Sequence, residues 1–130
     1  MKTISRKFAQ AAFVVTILSA SVAMAGFHSI QGVSIIDSIS SAVGDLGYVH
    51  NSSDPNEYIG CAVYPSAGTL MGFCAASNTS NVFRSCTTGD PGQVATIRSL
   101  REDSTLEFSW YANGACSFVS VRNESQTQPR

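Results

Sequence analysis

The sequence predicts a mainly β fold, with an α+β arrangement as its variant: a small disulfide-bonded antiparallel sheet or sandwich of five or six strands with one or two short helices. Three observations carry that prediction. Two alternating apolar runs, residues 105–111 and 116–122, flank Asn113-Gly114, the strongest short hairpin signal a sequence offers. Four cysteines, Cys61, Cys74, Cys86 and Cys116, all lie downstream of an export-type leader. The chain is rich in Ser, Thr, Asn and Gly and only 13% charged, a balance that suits turn-rich extracytoplasmic β-proteins better than helical enzymes.

The leader comes first. Lys2, Arg6 and Lys7 form a positive start, residues 8–20 an apolar run, and Ala23-Met24-Ala25 places small residues at −3 and −1 of a cleavage site. Cleavage is expected after Ala25. This divides the chain into a signal peptide (1–25), one exported globular domain (26–125) and a polar tail (126–130). The apolar run falls short of the ~20 residues that span a bilayer. No later stretch is apolar enough, so the mature chain is expected to carry no transmembrane segment and to be secreted or periplasmic. No cysteine follows the cleavage site to accept a lipid anchor.

Cleavage also removes every lysine. Residues 26–130 keep five arginines and nine carboxylates, a net charge of 5 − 9 = −4. Such a surface has little to offer phosphates, which argues against nucleic acid and anionic membranes as partners. Asn51-Ser52-Ser53, Asn78-Thr79-Ser80 and Asn123-Glu124-Ser125 match the glycosylation pattern; in a bacterial protein they read as turn chemistry.

Along the chain, Val33, Ile36, Ile39, Val43 and Leu46 recur at helical spacing. A short helix over 34–43 is expected, with a strand as the rival because the segment is rich in β-branched residues and interrupted by Gly32 and Gly44. Residues 47–50 read as a strand and 51–56 as a loop built on Asp54-Pro55. Residues 57–64, 70–76 and 81–87 read as three strands of an antiparallel meander, turning near 65–68 and 77–80.

Asp90-Pro91-Gly92-Gln93 is a helix start: a capping carboxylate, proline at the first helical position and glutamine three after the cap. The helix is expected to run from about 91 to 101, burying Val94, Ile97 and Leu100 and turning Arg98, Arg101 and Glu102 outward. A two-residue Asn113-Gly114 turn then fixes the last hairpin. It pairs Leu106 with Val121, Phe108 with Val119 and Trp110 with Ser117 on an apolar face. The mixed face pairs Glu107 with Ser120, Ser109 with Phe118 and Tyr111 with Cys116.

The cysteines contain no CxxC spacing, which leaves zinc-ribbon and thioredoxin-type chemistry without their signature. Two disulfides are expected, and four cysteines allow three connectivities. Facing positions sum to about 160 around the turn at 78–80, matching Cys74 with Cys86, and to about 135 around 66–69, matching Cys61 with Cys74. The preferred pairing is Cys74–Cys86 with Cys61–Cys116, which ties the meander to the hairpin. The rival is Cys61–Cys74 with Cys86–Cys116. Each bridge contributes about 2–4 kcal/mol.

Candidate chemistry is sparse. No free thiolate and no GxSxG elbow are available, and no cofactor is expected. His50, with Glu57 or Glu107 and Arg84 or Arg98, is the one acid–base set a small secreted hydrolase could use. Glu102, Asp103 and Glu107 are the nearby carboxylates that glycosidase chemistry would require; Glu102-Asp103 reads as a solvated helix end. After cleavage, Gly26, Phe27 and His28 would align an α-amine, two amides and an imidazole, a square-planar nitrogen set for Cu(II) or Ni(II). Trp110 and Tyr111, beside the hairpin turn, are the candidate contact aromatics for a protein or carbohydrate partner.

With catalytic constellations absent, the favoured reading is a small exported, non-catalytic binding or interaction protein of the bacterial envelope or medium. The alternatives are a structural or assembly subunit, in which residues 30–36 complete a neighbour's sheet, and the small hydrolase using His50.

Overall fold

The computed structural model describes residues 31–124. The expected leader and cleavage site, the Gly26-Phe27-His28 motif and the whole of the expected tail (126–130) lie outside the described residues. The described chain is mainly β, with two antiparallel sheets, two short helices and two disulfides. Strands β1 (Ser34–Ile36), β2 (Ser41–Asp45), β6 (Thr105–Trp110) and β7 (Cys116–Arg122) form one sheet in the order β1-β2-β6-β7. The meander β3 (Tyr58–Ser66), β4 (Thr69–Ser77) and β5 (Phe83–Thr88) forms the other. The inner faces meet in one core. Ala42, Leu106, Phe108 and Val119 come from the first sheet, and Ile59, Cys74, Ala76 and Cys86 from the second.

The meander follows its sequence. Cys61 stands opposite Cys74 and Cys74 opposite Cys86, as both turn sums require. Ala67 (φ 48) and Gly68 (φ 81) make the first turn in the left-handed region, the geometry that matches strand twist. Pro65 sits inside β3 without cost to the ladder, because β3 is an edge strand.

Helix α2 (Pro91–Ile97) starts as expected: the Gln93 N–H donates to Asp90 Oδ1 at 2.8 Å, with Pro91 next to the cap. It is shorter than the predicted 91–101. Ser99 and Leu100 donate to carbonyls only three residues back, so the chain tightens and leaves the α-helical path after Ile97. Val94 and Ile97 are buried. The helix packs on β3, β4 and β7, closing one side of the sandwich. Gly72 makes that approach possible, since a Cβ there would lie 2.5 Å from Ile97 Cδ1.

Between residues 34 and 50 the expected helix and strand change places. Residues 34–43 are not a helix: β1, a single 3-10 turn at Asp37–Ile39 and β2 form a hairpin that reverses at Ser40 (φ 50). The helical stripe fails as a face, with Val33 buried and Ile39 65% exposed. The β-branched content prevails, and Ile35 and Ala42 pair on the inner side. Residues 47–50 are not a strand but belong to α1 (Leu46–His50). The Leu46 N–H donates to Ser104 O, a tertiary partner at the start of this single turn, and the Asn51 side-chain amide donates to Gly47 O, closing its end locally.

The last hairpin keeps its predicted register from Leu106–Val121 to Ser109–Phe118 and then slips. A bulge at Ser117 sets Trp110 opposite Cys116 rather than Ser117. The turn is therefore not the two-residue type. Tyr111 N–H donates to Ala115 O and Gly114 N–H to Tyr111 O, with Gly114 alone at positive φ (84), which is a three-residue loop.

The disulfides are Cys61–Cys74 and Cys86–Cys116, which overturns the preferred pairing in favour of its rival. The reason is geometric. The slip turns Cys116 from the mixed face to the core face, and a bridge of Thr87 to Ala115 brings the hairpin end to β5. Cys61 is two strands away, roughly 10 Å at normal strand spacing. Cys74 is left to Cys61, 4.0 Å away between Cα atoms, which is the narrow kind of antiparallel pair.

Candidate binding cleft

An open cleft of about 1050 Å³ is bounded by three walls. The first is α1 with Leu46, Gly47, Val49 and His50, followed by Asn51; the second is the start of β3 with Glu57, Tyr58 and Ile59; the third is the turn carrying Arg101, Glu102 and Asp103.

Local hydrogen bonds place each wall. Asp45, 3% exposed, precedes α1 but does not cap it. Its carboxylate instead accepts from Gln31 N–H at 2.8 Å and from the Thr105 hydroxyl at 2.5 Å, fixing α1 to the four-stranded sheet. Asp54 Oδ1 accepts from Asn56 and Glu57 N–H, folding the loop so that Glu57 returns beside α1. Glu57 Oε1 accepts from Val33 N–H at 2.7 Å, so this carboxylate also holds the chain entering β1. In the third wall, the fully buried Ser104 hydroxyl accepts from Arg101 N–H and donates to Asn123 Oδ1, turning residues 101–103 towards the cleft.

Leu46, Val49 and Ile59 make an apolar floor, and all three pack against the core. The rim carries one imidazole, one guanidinium, one phenol and three carboxylates. This set can desolvate an apolar body and orient it through charge-assisted hydrogen bonds.

Of the acid–base set expected from sequence, the fold brings His50 and Glu57 to the same cleft and leaves the rest elsewhere. Arg84 makes a two-point ion pair with Asp37 at 2.7 and 2.8 Å. Arg98 caps the end of α2, and Glu107 lies on the outer face of the four-stranded sheet between Val43 and Ser120. Sequence reasoning had no signal for Arg101 as a cleft residue, because it lies far from His50 in the chain. Glu102 and Asp103, expected as a solvated helix end, line the cleft beyond the end of the helix.

Trp110 and Tyr111 separate. Trp110 is half-buried against the core with its ring 6.0 Å from that of Phe108, whereas Tyr111 is 59% exposed at the hairpin turn, away from the cleft. The Asn51, Asn78 and Asn123 side chains are all engaged with neighbouring backbone. Among the described residues, no group of three or more His, Cys, Asp or Glu could hold a metal ion. None of their helices is long and apolar enough to cross a membrane. Comparison with protein-family models, curated proteins and solved structures gave no match, so the geometry alone carries the functional argument.

Proposed function

We propose that the protein is a small exported, non-catalytic binding protein of the bacterial envelope or medium, and that it holds its ligand in the cleft between α1, β3 and the 101–103 turn. The supporting observation is the cleft's make-up, an apolar floor with convergent polar groups at a volume near the upper end of small-ligand sites, roughly 300–1,000 Å³. Glu57, Glu102 and Asp103 against Arg101 favour a ligand with an apolar body and an amine. Export rests on the leader pattern, and two disulfides fit an oxidising compartment.

Matched probes test this reading. Phenethylamine and hexylamine should raise the melting temperature with concentration, while phenylacetate and hexanoate should not. Val49→Arg should remove the effect by placing a charge in the floor. Equal shifts from amines and acids, or none from either, would overturn the proposal.

The convergence of His50 and Glu57 favours one second reading, a hydrolase. Its test is turnover of bis-p-nitrophenyl phosphate and p-nitrophenyl acetate. Activity that disappears in His50→Ala supports it; activity that survives removes it. The assembly reading has less support, since Ser34–Ile36 already pairs with β2 of its own sheet.

A further inference from the structure

We infer that Cys61 is a thiol-exchange site: a small aliphatic thiol attacks its sulfur, and a relay through Cys74 and Cys86 then frees Cys116. The relay rests on one alignment. Cys61 stands opposite Cys74 and Cys74 opposite Cys86, so all three share the inner face of the β3-β4-β5 sheet. Cys116 is bonded to Cys86 from the far edge of β5. The hairpin end lies along that edge, with Thr87 N–H donating to Gly114 O at 3.0 Å and Thr87 bridging Ala115. The four sulfurs therefore form one row, joined as two pairs.

Access fixes where the row is entered. All four cysteines are bonded, so no thiol of the protein can start the exchange, and one must come from outside. Cys61 is half-buried on an edge strand, whereas Cys74, Cys86 and Cys116 are 0%, 2% and 7% exposed. Exchange rates follow access, so the incoming thiolate meets Cys61.

Both steps balance. The external thiolate bonds to Cys61 Sγ, the Cys61–Cys74 bond breaks, and Cys74 leaves with the electron pair. Cys74 Sγ then bonds to Cys86 Sγ, and Cys116 leaves as the thiolate. The proton that the external thiol lost to water returns to Cys116. Two disulfides and one thiol exist before and after, so nothing is oxidised or reduced overall.

Geometry favours the second step. Cys74 approaches from the β4 side of Cys86 while Cys116 departs on the opposite side, which gives the in-line path that displacement at sulfur follows. Because Thr87 gives its N–H to Gly114, the neighbouring Cys86 turns its own towards β4. Cys74 and Cys86 are thus the wide kind of antiparallel pair, about 5.5 Å between Cα atoms. Disulfides commonly span that separation. Burial supplies the direction, since a thiolate at the fully buried Cys74 is poorly solvated, whereas Cys116 closely follows the exposed turn at residues 111–114. The clasp between the two sheets opens although the external thiol never touches it.

The test treats the oxidised protein with equimolar mercaptoethanol at about pH 8, near the titration range of an ordinary thiol. Acid quench, alkylation with N-ethylmaleimide in acidic denaturant and peptide mapping then locate every sulfur. The mercaptoethanol adduct should sit on Cys61 and the maleimide on Cys116, with Cys74 linked to Cys86. In Cys61→Ser/Cys74→Ser, shown by circular dichroism to be folded, the Cys86–Cys116 bond should open at least about tenfold more slowly. If that variant does not fold, the map of the native protein decides alone. Maleimide confined to Cys74, an adduct on Cys86 or Cys116, no adduct at all, or unslowed opening in the folded variant overturns the inference. The relay depends on neither reading of the cleft.

Discussion

Cys116 lies directly across the ladder from Trp110, on the inner face of the four-stranded sheet, with its Cα 4.9 Å from that of Cys86 in the opposing sheet. The pairing exists because Ser117 bulges out of the strand. Without the bulge, Cys116 would face Tyr111 on the outer side, where no sulfur could meet it. One extra residue thus converts a surface cysteine into the clasp between two sheets, a use of bulges that re-aims a side chain.

The two disulfides should contribute unequally. Loop-closure entropy gives about 3.6 kcal/mol for the 30-residue Cys86–Cys116 loop and about 2.9 kcal/mol for the 13-residue Cys61–Cys74 loop. Replacing both members of a pair by alanine and comparing urea midpoints checks the order. The longer, inter-sheet bridge should cost more, and peptide mapping of the unreduced protein should return these two linkages.

Gly72→Ala should destabilise by about 1–3 kcal/mol, because the new methyl meets Ile97 Cδ1 at 2.5 Å and Thr88 Cγ2 at 3.0 Å. Ile97→Val alone should cost about 0.5–1.5 kcal/mol. Combined, the two should cost less than their sum, since valine lacks the atom that clashes. A strictly additive double-mutant cycle would contradict the proposed contact.

Asp45→Ala should cost about 2 kcal/mol in chemical denaturation. It leaves the Gln31 N–H and the Thr105 hydroxyl without their acceptor in a region where Asp45 and Thr105 are each 3% exposed. The same change loosens the anchor of α1, so amine binding in the cleft should weaken with it. Binding of undiminished strength would separate the anchor from the site.

Asp90→Ala should cost about 1 kcal/mol by removing the cap on the Gln93 N–H. Asp90→Asn should recover most of that loss, because its side-chain oxygen can still accept. Comparing the two variants isolates the capping bond from the charge.

Much of the fold was legible because its signals are local. The meander registers follow from turn positions, the start of α2 from Asp90-Pro91, and the outer part of the last hairpin from strict alternation at Leu106, Phe108, Val119 and Val121. Residues 34–50 resisted for a physical reason. Their apolar residues satisfy a helical and an extended period at once, and Leu46 becomes helical through a hydrogen bond to Ser104, far along the chain. In the cleft, His50 and Glu57 were recognisable together, being seven residues apart in the sequence. Arg101, Glu102 and Asp103 joined them only through the turn that Ser104 organises.

The sequence by itself determined the mainly β class, the even cysteine count with its short menu of pairings, and which residues faced each other across the meander. Those properties depend on neighbours a few residues apart and on a two-residue period. Tertiary structure decided which disulfides form, because three cysteines align across β3, β4 and β5 and only the approach of the second sheet chooses among them. It also decided the cleft and the row of four sulfurs, since each is assembled from segments whose proximity exists only once both sheets have closed on their common core.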